Sequence, residues 1–109
     1  MRARGQSSLA VVRGEVDITT VPEIARRLDF LTAVDVPDVV VDLRAVTFID
    51  ARGIDVLARA RSRAVARGGR LRLVCRGFPL RVLRLPGLGL GPGFEFLPDV
   101  PPAFPPATG

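Results

Sequence analysis

The chain has 109 residues, which is enough for one domain with its own hydrophobic core. All 16 basic residues are Arg, and the sequence contains no Lys, His, Tyr, Trp or Asn and a single cysteine, Cys75. These absences exclude imidazole bases, Schiff-base lysines, internal disulfides and multi-thiolate zinc sites. We therefore expect a protein that is not an enzyme and that carries no metal or cofactor.

The charges are unevenly distributed along the chain. Residues 15–50 contain eight acidic residues and three Arg, whereas residues 51–84 contain ten Arg and one Asp. A basic half of this kind is compatible with nucleic-acid binding, but single-strand binders interleave basic and aromatic residues, and four of the six Phe lie at or beyond Phe78. We favour a solvated basic face.

Two further absences concern the compartment. No stretch approaches the roughly 18 apolar residues of a membrane span, and no apolar core of a signal peptide follows the polar first residues. With a single cysteine as well, the sequence indicates a reducing cytoplasm and no contact with a membrane.

The first half of the chain predicts two strands and a helix. Residues 9–16 are typical of a strand, and Thr19 or Thr20 is placed to cap a helix with Pro22 in its first turn. That helix is expected to end near residues 36–38. Residues 39–43 are mostly β-branched, which predicts a central buried strand, and residues 44–48 are expected to form a connection.

Asp50 is expected to cap a second helix that ends at the pair Gly68 and Gly69. A helical wheel places one set of small and apolar residues on a single face, with Arg61 at its rim. This set is Ile54, Leu57, Ala58, Ala60, Ala64 and Val65.

The side chains of the next strand are predicted to alternate between a buried face and a solvent-exposed face. The buried face carries Leu71, Leu73 and Cys75, and the solvent-exposed face carries Arg70, Arg72 and Arg76. The cysteine is interpreted as a small buried hydrophobic residue, because no base is present to activate it.

A third helix opens at Phe78 and Pro79 and stops at Pro86 and Gly87. Residues 87–93 are rich in glycine, but they follow a helix and do not match a phosphate-binding loop, so we interpret them as an ordinary loop. Residues 94–97 predict a short last strand. The predicted order is β-α-β-α-β-α-β in one domain, residues 1–97, followed by a flexible proline-rich tail, residues 98–109.

Three motifs in this order resemble those of the STAS domain family, which includes the bacterial anti-sigma factor antagonists. They are GEVD at residues 14–17, FIDARGI at residues 48–54 and the glycine pair at residues 68–69. The resemblance implies an α/β fold with a small mixed sheet of four to five strands and helices packed mainly on one face. It also implies binding to an anti-sigma factor, typically a kinase with a GHKL-type ATPase fold, and hence a role in transcription.

The resemblance also identifies the switch position of the family and a departure from it. In the family, the kinase phosphorylates a serine at the start of the second helix, and the added dianion breaks the complex. The two serines of the motif align with Ala51 and Arg52, so Arg52 occupies the acceptor position and cannot accept phosphate in this chemistry. Arg52 has either drifted at an exposed site or contacts an acidic partner surface or a bound anion.

Three more residues match the family pattern, so that the expected partner-binding set is Asp17, Asp50, Ala51, Arg52 and Gly53. For two of them a purely structural role is an open alternative. Asp17 is also explained as a turn-forming residue, and Asp50 as a helix cap. Two other functions remain open besides anti-sigma factor binding: a scaffold subunit that assembles with other STAS proteins, and the nucleic-acid surface described above.

Overall fold

The computed structural model describes residues 7–87 and 94–104. The elements alternate as the sequence predicts: β1 (Ser7–Val16), α1 (Val21–Thr32), β2 (Asp38–Ile49), α2 (Ala51–Ala66), β3 (Arg70–Val74), α3 (Gly77–Leu83) and β4 (Glu95–Leu97). Part of the glycine-rich loop and the end of the proline-rich tail lie outside the described residues. None of the helices in the described ranges is long and apolar enough to cross a membrane.

The four strands form one sheet in the order β1-β2-β3-β4, which confirms the α/β fold with a small sheet. The resemblance implied a mixed sheet, and the three ladders between the described strands are all parallel. Parallel neighbours need a crossover, and each of the three helices supplies one.

One face of the sheet carries the core under the helices. Alternate residues of β2, namely Val39, Val41 and Leu43, pack with the core-facing residues of α1 and α2. Leu28 of α1 and Ala60 of α2 are fully buried in this cluster. Ala60 and Ala64 of α2 are fully buried in the cluster, and such small side chains allow the helix to lie close to the strands.

The opposite side of the sheet is called the outer face here. By alternation it carries Val40, Asp42 and Arg44 of β2, with Arg72 and Val74 of β3 beside them. Val40 and Val74 are 0% and 1% exposed although they point away from the helices. The outer face is therefore covered, and its cover includes chain outside the helices.

The predicted connection at residues 44–48 is wrong, because β2 continues through these residues to Ile49. The extra length pairs with the second half of β1, where Arg13 lies opposite Ala45 and Val16 lies opposite Ile49. Two register shifts in this ladder break the strict alternation of side chains. That irregular pattern is why the sequence alone did not indicate a strand.

Other expectations are corrected by packing. α1 ends at Thr32, several residues before the predicted end. Arg72 was predicted on a solvent-exposed face of β3, but it is buried, because the chain after β4 covers it. Val65 of α2 and Leu85 after α3 are both about half exposed, so neither belongs to the core.

Candidate functional site

The first turn of α2 lies against the ends of β1 and β2. The backbone N–H of Asp50 donates to the carbonyl of Val16 (3.2 Å), and Val16 pairs with Ile49 in the ladder. Asp17 and Asp50 therefore follow directly on hydrogen-bonded neighbours. The fold brings the two acidic residues of the predicted set to one edge of the sheet.

The Asp50 side chain caps α2, as the sequence predicts. Its Oδ1 accepts from the backbone N–H groups of Arg52 (3.0 Å) and Gly53 (3.1 Å). These two N–H groups have no carbonyl partner within the helix, so the carboxylate satisfies them. The structural explanation of Asp50 as a cap is confirmed.

Asp17 organises the turn between β1 and α1. Its Oδ1 accepts from the backbone N–H (2.9 Å) and the hydroxyl (2.7 Å) of Thr19. These hydrogen bonds hold the pKa of Asp17 below its ordinary value. The hydroxyl of Thr20, at the N-cap position of α1, donates to the carbonyl of Glu15 (2.8 Å) and does not cap the helix.

Gly53 is required by close packing beneath the first turn of α2. A Cβ atom at this position would lie 2.5 Å from Cγ1 of Val16 and 2.8 Å from Cγ1 of Ile49. Both side chains are buried in the core, so neither has free space into which it can move. Glycine at this position lets the helix start directly on the strand ends.

The two residues that the resemblance places at the serine positions of the motif are exposed. Ala51 and Arg52 both lie on the solvent side of the first turn of α2. The Arg52 guanidinium makes no hydrogen bond or ion pair with residues 7–87 or 94–104. A positive charge next to a helix N-terminus is mildly unfavourable, and exposure to water makes it tolerable.

Two exposed apolar residues accompany this turn and were not part of the expected set. Ile18 follows β1 and is 59% exposed, and Phe48 near the end of β2 is 44% exposed. Phe48 lies opposite Glu15 in the ladder, and Ile18 directly follows Asp17 in the chain. Ile18 and Phe48 therefore belong to the same edge of the sheet as Asp17 and Asp50. Phe48 was missed because its segment was interpreted as a connection, and no periodicity marks Ile18.

We define the partner surface as the partly buried Asp17 together with four exposed residues of this edge, namely Ile18, Phe48, Ala51 and Arg52. It combines apolar contact area with one free cation and an acidic side chain already engaged in its own turn.

Among the described residues, no group of His, Cys, Asp or Glu is arranged to hold a metal ion. Cys75 is buried at the end of β3, and burial raises the pKa of its thiol.

Comparison with known proteins identifies the family. The family model described as the STAS domain matches residues 2–96, so the chain belongs to the STAS domain family. Among solved structures, the anti-sigma factor antagonist SpoIIAA in its unphosphorylated form superposes with a TM-score of 0.66 at 16% sequence identity. The match covers 93% of this chain and 86% of that chain, and it shows the shared fold. No curated protein sequence matches significantly.

Proposed function

We propose that this STAS domain is a non-catalytic module that regulates transcription by binding an anti-sigma factor of the GHKL kinase type through the partner surface. The observation that carries the proposal is the pair of exposed apolar residues, Ile18 and Phe48, beside the capped first turn of α2. An apolar centre with charged neighbours is the composition of a protein interface. SpoIIAA, which shares the fold, is an anti-sigma factor antagonist.

The partner surface is preformed, which favours binding without a large ordering cost. The Asp50 cap, the Asp17 turn and the contact of Gly53 with Val16 hold the backbone of both segments in place. Arg52 adds a cation that suits an acidic patch on the partner. Because Ala51 and Arg52 cannot be phosphorylated, the complex formed here is not released by the switch of the family.

The proposal is tested with the purified chain and GHKL-type anti-sigma factors from the same cell. Proteins that bind the chain are identified first, and isothermal titration calorimetry then measures their affinity for it. We expect one of them to bind at micromolar concentration or tighter, and Phe48→Ser to weaken binding at least tenfold. Phe30→Ser is the matched control, since Phe30 is an exposed aromatic residue of α1 that lies outside the partner surface.

Two outcomes would contradict the proposal. If no GHKL-type protein binds at micromolar concentration, the partner class is wrong. If Phe48→Ser and Phe30→Ser weaken binding equally, the partner uses another surface. A stable assembly with other STAS proteins, detected by light scattering, would favour the scaffold function instead.

A further inference from the structure

The outer face of the sheet is crossed by the chain that follows β4. After Leu97 the chain passes over β3, because Asp99 forms an ion pair with Arg44 of β2 (2.8 Å). It then turns, with the N–H of Phe104 donating to the carbonyl of Pro101 (3.1 Å), and Phe104 lies under the guanidinium of Arg72 (5.7 Å to the ring centroid). We call residues 98–104 the crossing segment.

The face beneath the crossing segment is a floor of apolar side chains with charged side chains around it. Val40 and Val74 form the floor. Arg44 is held in place by a bidentate contact with Asp42, in which Nε and Nη2 donate to Oδ1 (3.0 Å) and Oδ2 (2.8 Å). The arginine is therefore positioned for an acidic group before Asp99 reaches it.

The crossing segment does not satisfy all of the polar groups that it covers. The side chain of Arg72 is 10% exposed, and its Nε is a buried donor without a hydrogen-bond partner. Its Nη2 reaches Oδ1 of Asp38 only at 3.4 Å. A buried donor that has lost water without gaining a partner is unfavourable, so a ligand with an acceptor at this point would bind better than the crossing segment does.

The anchors of the crossing segment are themselves weak. The side chain of Asp99 is 76% exposed, and an exposed ion pair contributes little to stability in water. The second anchor is a single stacking contact between Arg72 and Phe104. Departure of the segment would expose Val40 and Val74, but it would leave the core in place, because the core lies on the other side of the sheet.

We propose that the outer face is a second protein-binding surface, for an extended acidic segment of a partner that carries an aromatic residue, and that the crossing segment occupies it as an internal competitor. The crossing segment shows which chemistry the face recognises: a carboxylate for Arg44 and an aromatic ring for Arg72. A partner segment that also offers an acceptor to Nε of Arg72 displaces it. The residues that contact the crossing segment, Arg44 and Arg72, are not members of the partner surface.

The experiment uses the full chain and, as the probe, a fluorescein-labelled peptide with the sequence of residues 98–104. Fluorescence anisotropy is compared for the wild-type chain and for the double variant Asp99→Asn, Phe104→Ala. The double variant removes both anchors of the internal competitor without touching the core. We expect it to bind the peptide at least tenfold more tightly than the wild type does, since a tethered competitor has a high effective concentration.

The location of binding is read from methyl NMR spectra of the double variant. Val40 and Val74 point to the outer face, whereas Val39 and Val41 of the same sheet point to the helices and are the matched controls. We expect the peptide to shift the methyl signals of the first pair and leave the second pair in place. A peptide with Asp replaced by Asn should bind about twofold to fivefold more weakly, since the ion pair that it loses is exposed.

Three results would overturn the proposal. They are equal affinity of the peptide for the wild type and the double variant, absence of binding to both, and peptide-induced shifts confined to the first turn of α2. None of them bears on anti-sigma factor binding at Phe48, which is measured separately.

Discussion

Under the proposed function, Arg52 stands at the acceptor position of the family switch. It lies on the exposed first turn of α2, where the backbone N–H groups favour a negative charge, and it brings a positive one. Its own backbone N–H is already bonded to Asp50, so the turn is complete without any contribution from the guanidinium. The turn is thus capped by Asp50 independently of the side chain at position 52.

The first prediction concerns this position. We expect the wild-type chain to accept no phosphate at residues 51 or 52 from a GHKL-type kinase partner, and Arg52→Ser to accept one, because the exposed, capped turn remains in place. Phosphorylation of the variant should weaken its complex at least tenfold through charge repulsion. Intact-mass spectrometry and titration measure the two effects, and phosphate on Ser62 or Thr47 of the wild type would show that the switch has moved.

The second prediction tests the cap that holds the turn. Asp50→Ala should lower the free energy of unfolding by about 0.5–2 kcal/mol, because it leaves the N–H groups of Arg52 and Gly53 without their acceptor. Asp55→Ala is the control, since its exposed pair with Arg59 contributes less than about 0.5 kcal/mol. Urea denaturation measures both variants, and equal losses would contradict the role of the cap.

At the scale of elements, the glycine pair at the end of α2 performs two different tasks. Gly68 has a positive φ of 78°, which ends the helix in a conformation that favours glycine. Gly69 has room for no side chain, because a Cβ would overlap the carbonyl oxygen of Pro37. That same oxygen accepts from the N–H of Arg70 (2.8 Å), so the loop before β2 and the start of β3 are joined here.

The third prediction separates these two tasks. Gly69→Ala should lower the free energy of unfolding by about 3 kcal/mol or more, because the clash is with backbone. Gly68→Ala should lower it by only about 1–2 kcal/mol, since nothing lies near the added carbon and the loss comes from the positive φ alone. Thermal and urea unfolding of both variants provide the measurement, and a larger loss for Gly68→Ala would refute this assignment.

For the whole molecule, the fold brings residues of the acidic half, 15–50, into contact with residues of the basic half, 51–84. Arg63 of the basic half forms an ion pair with Asp29 of the acidic half, and Arg70 and Arg72 both reach Asp38. The fold thus sets part of the basic half against the acidic half. This pairing weakens the argument for a nucleic-acid surface.

The fourth prediction concerns acid stability. The hydrogen bonds from Arg44 hold the pKa of Asp42 below its ordinary value in the folded chain. The stabilisation is complete above the unfolded pKa of about 3.9 and is lost as the pH falls through the lower folded pKa. The free energy of unfolding should therefore fall below about pH 4, and more gradually in Asp42→Asn. Urea denaturation between pH 2 and 6 measures the free energy of unfolding at each pH. Arg44→Gln should reduce the dependence of this free energy on pH in the same way as Asp42→Asn. Parallel curves for the wild type and the variants would contradict the role of the Asp42–Arg44 pair.

The sequence by itself determined the order of the elements, the cap at Asp50 and the family motifs, because caps and apolar periodicity are local. Only the tertiary structure decided the length of β2, which depends on pairing with a distant segment of β1. It also decided the burial of Arg72 and the gathering of Ile18 and Phe48 beside the first turn of α2. These features arise from contacts between residues far apart in the chain, and no local pattern specifies them.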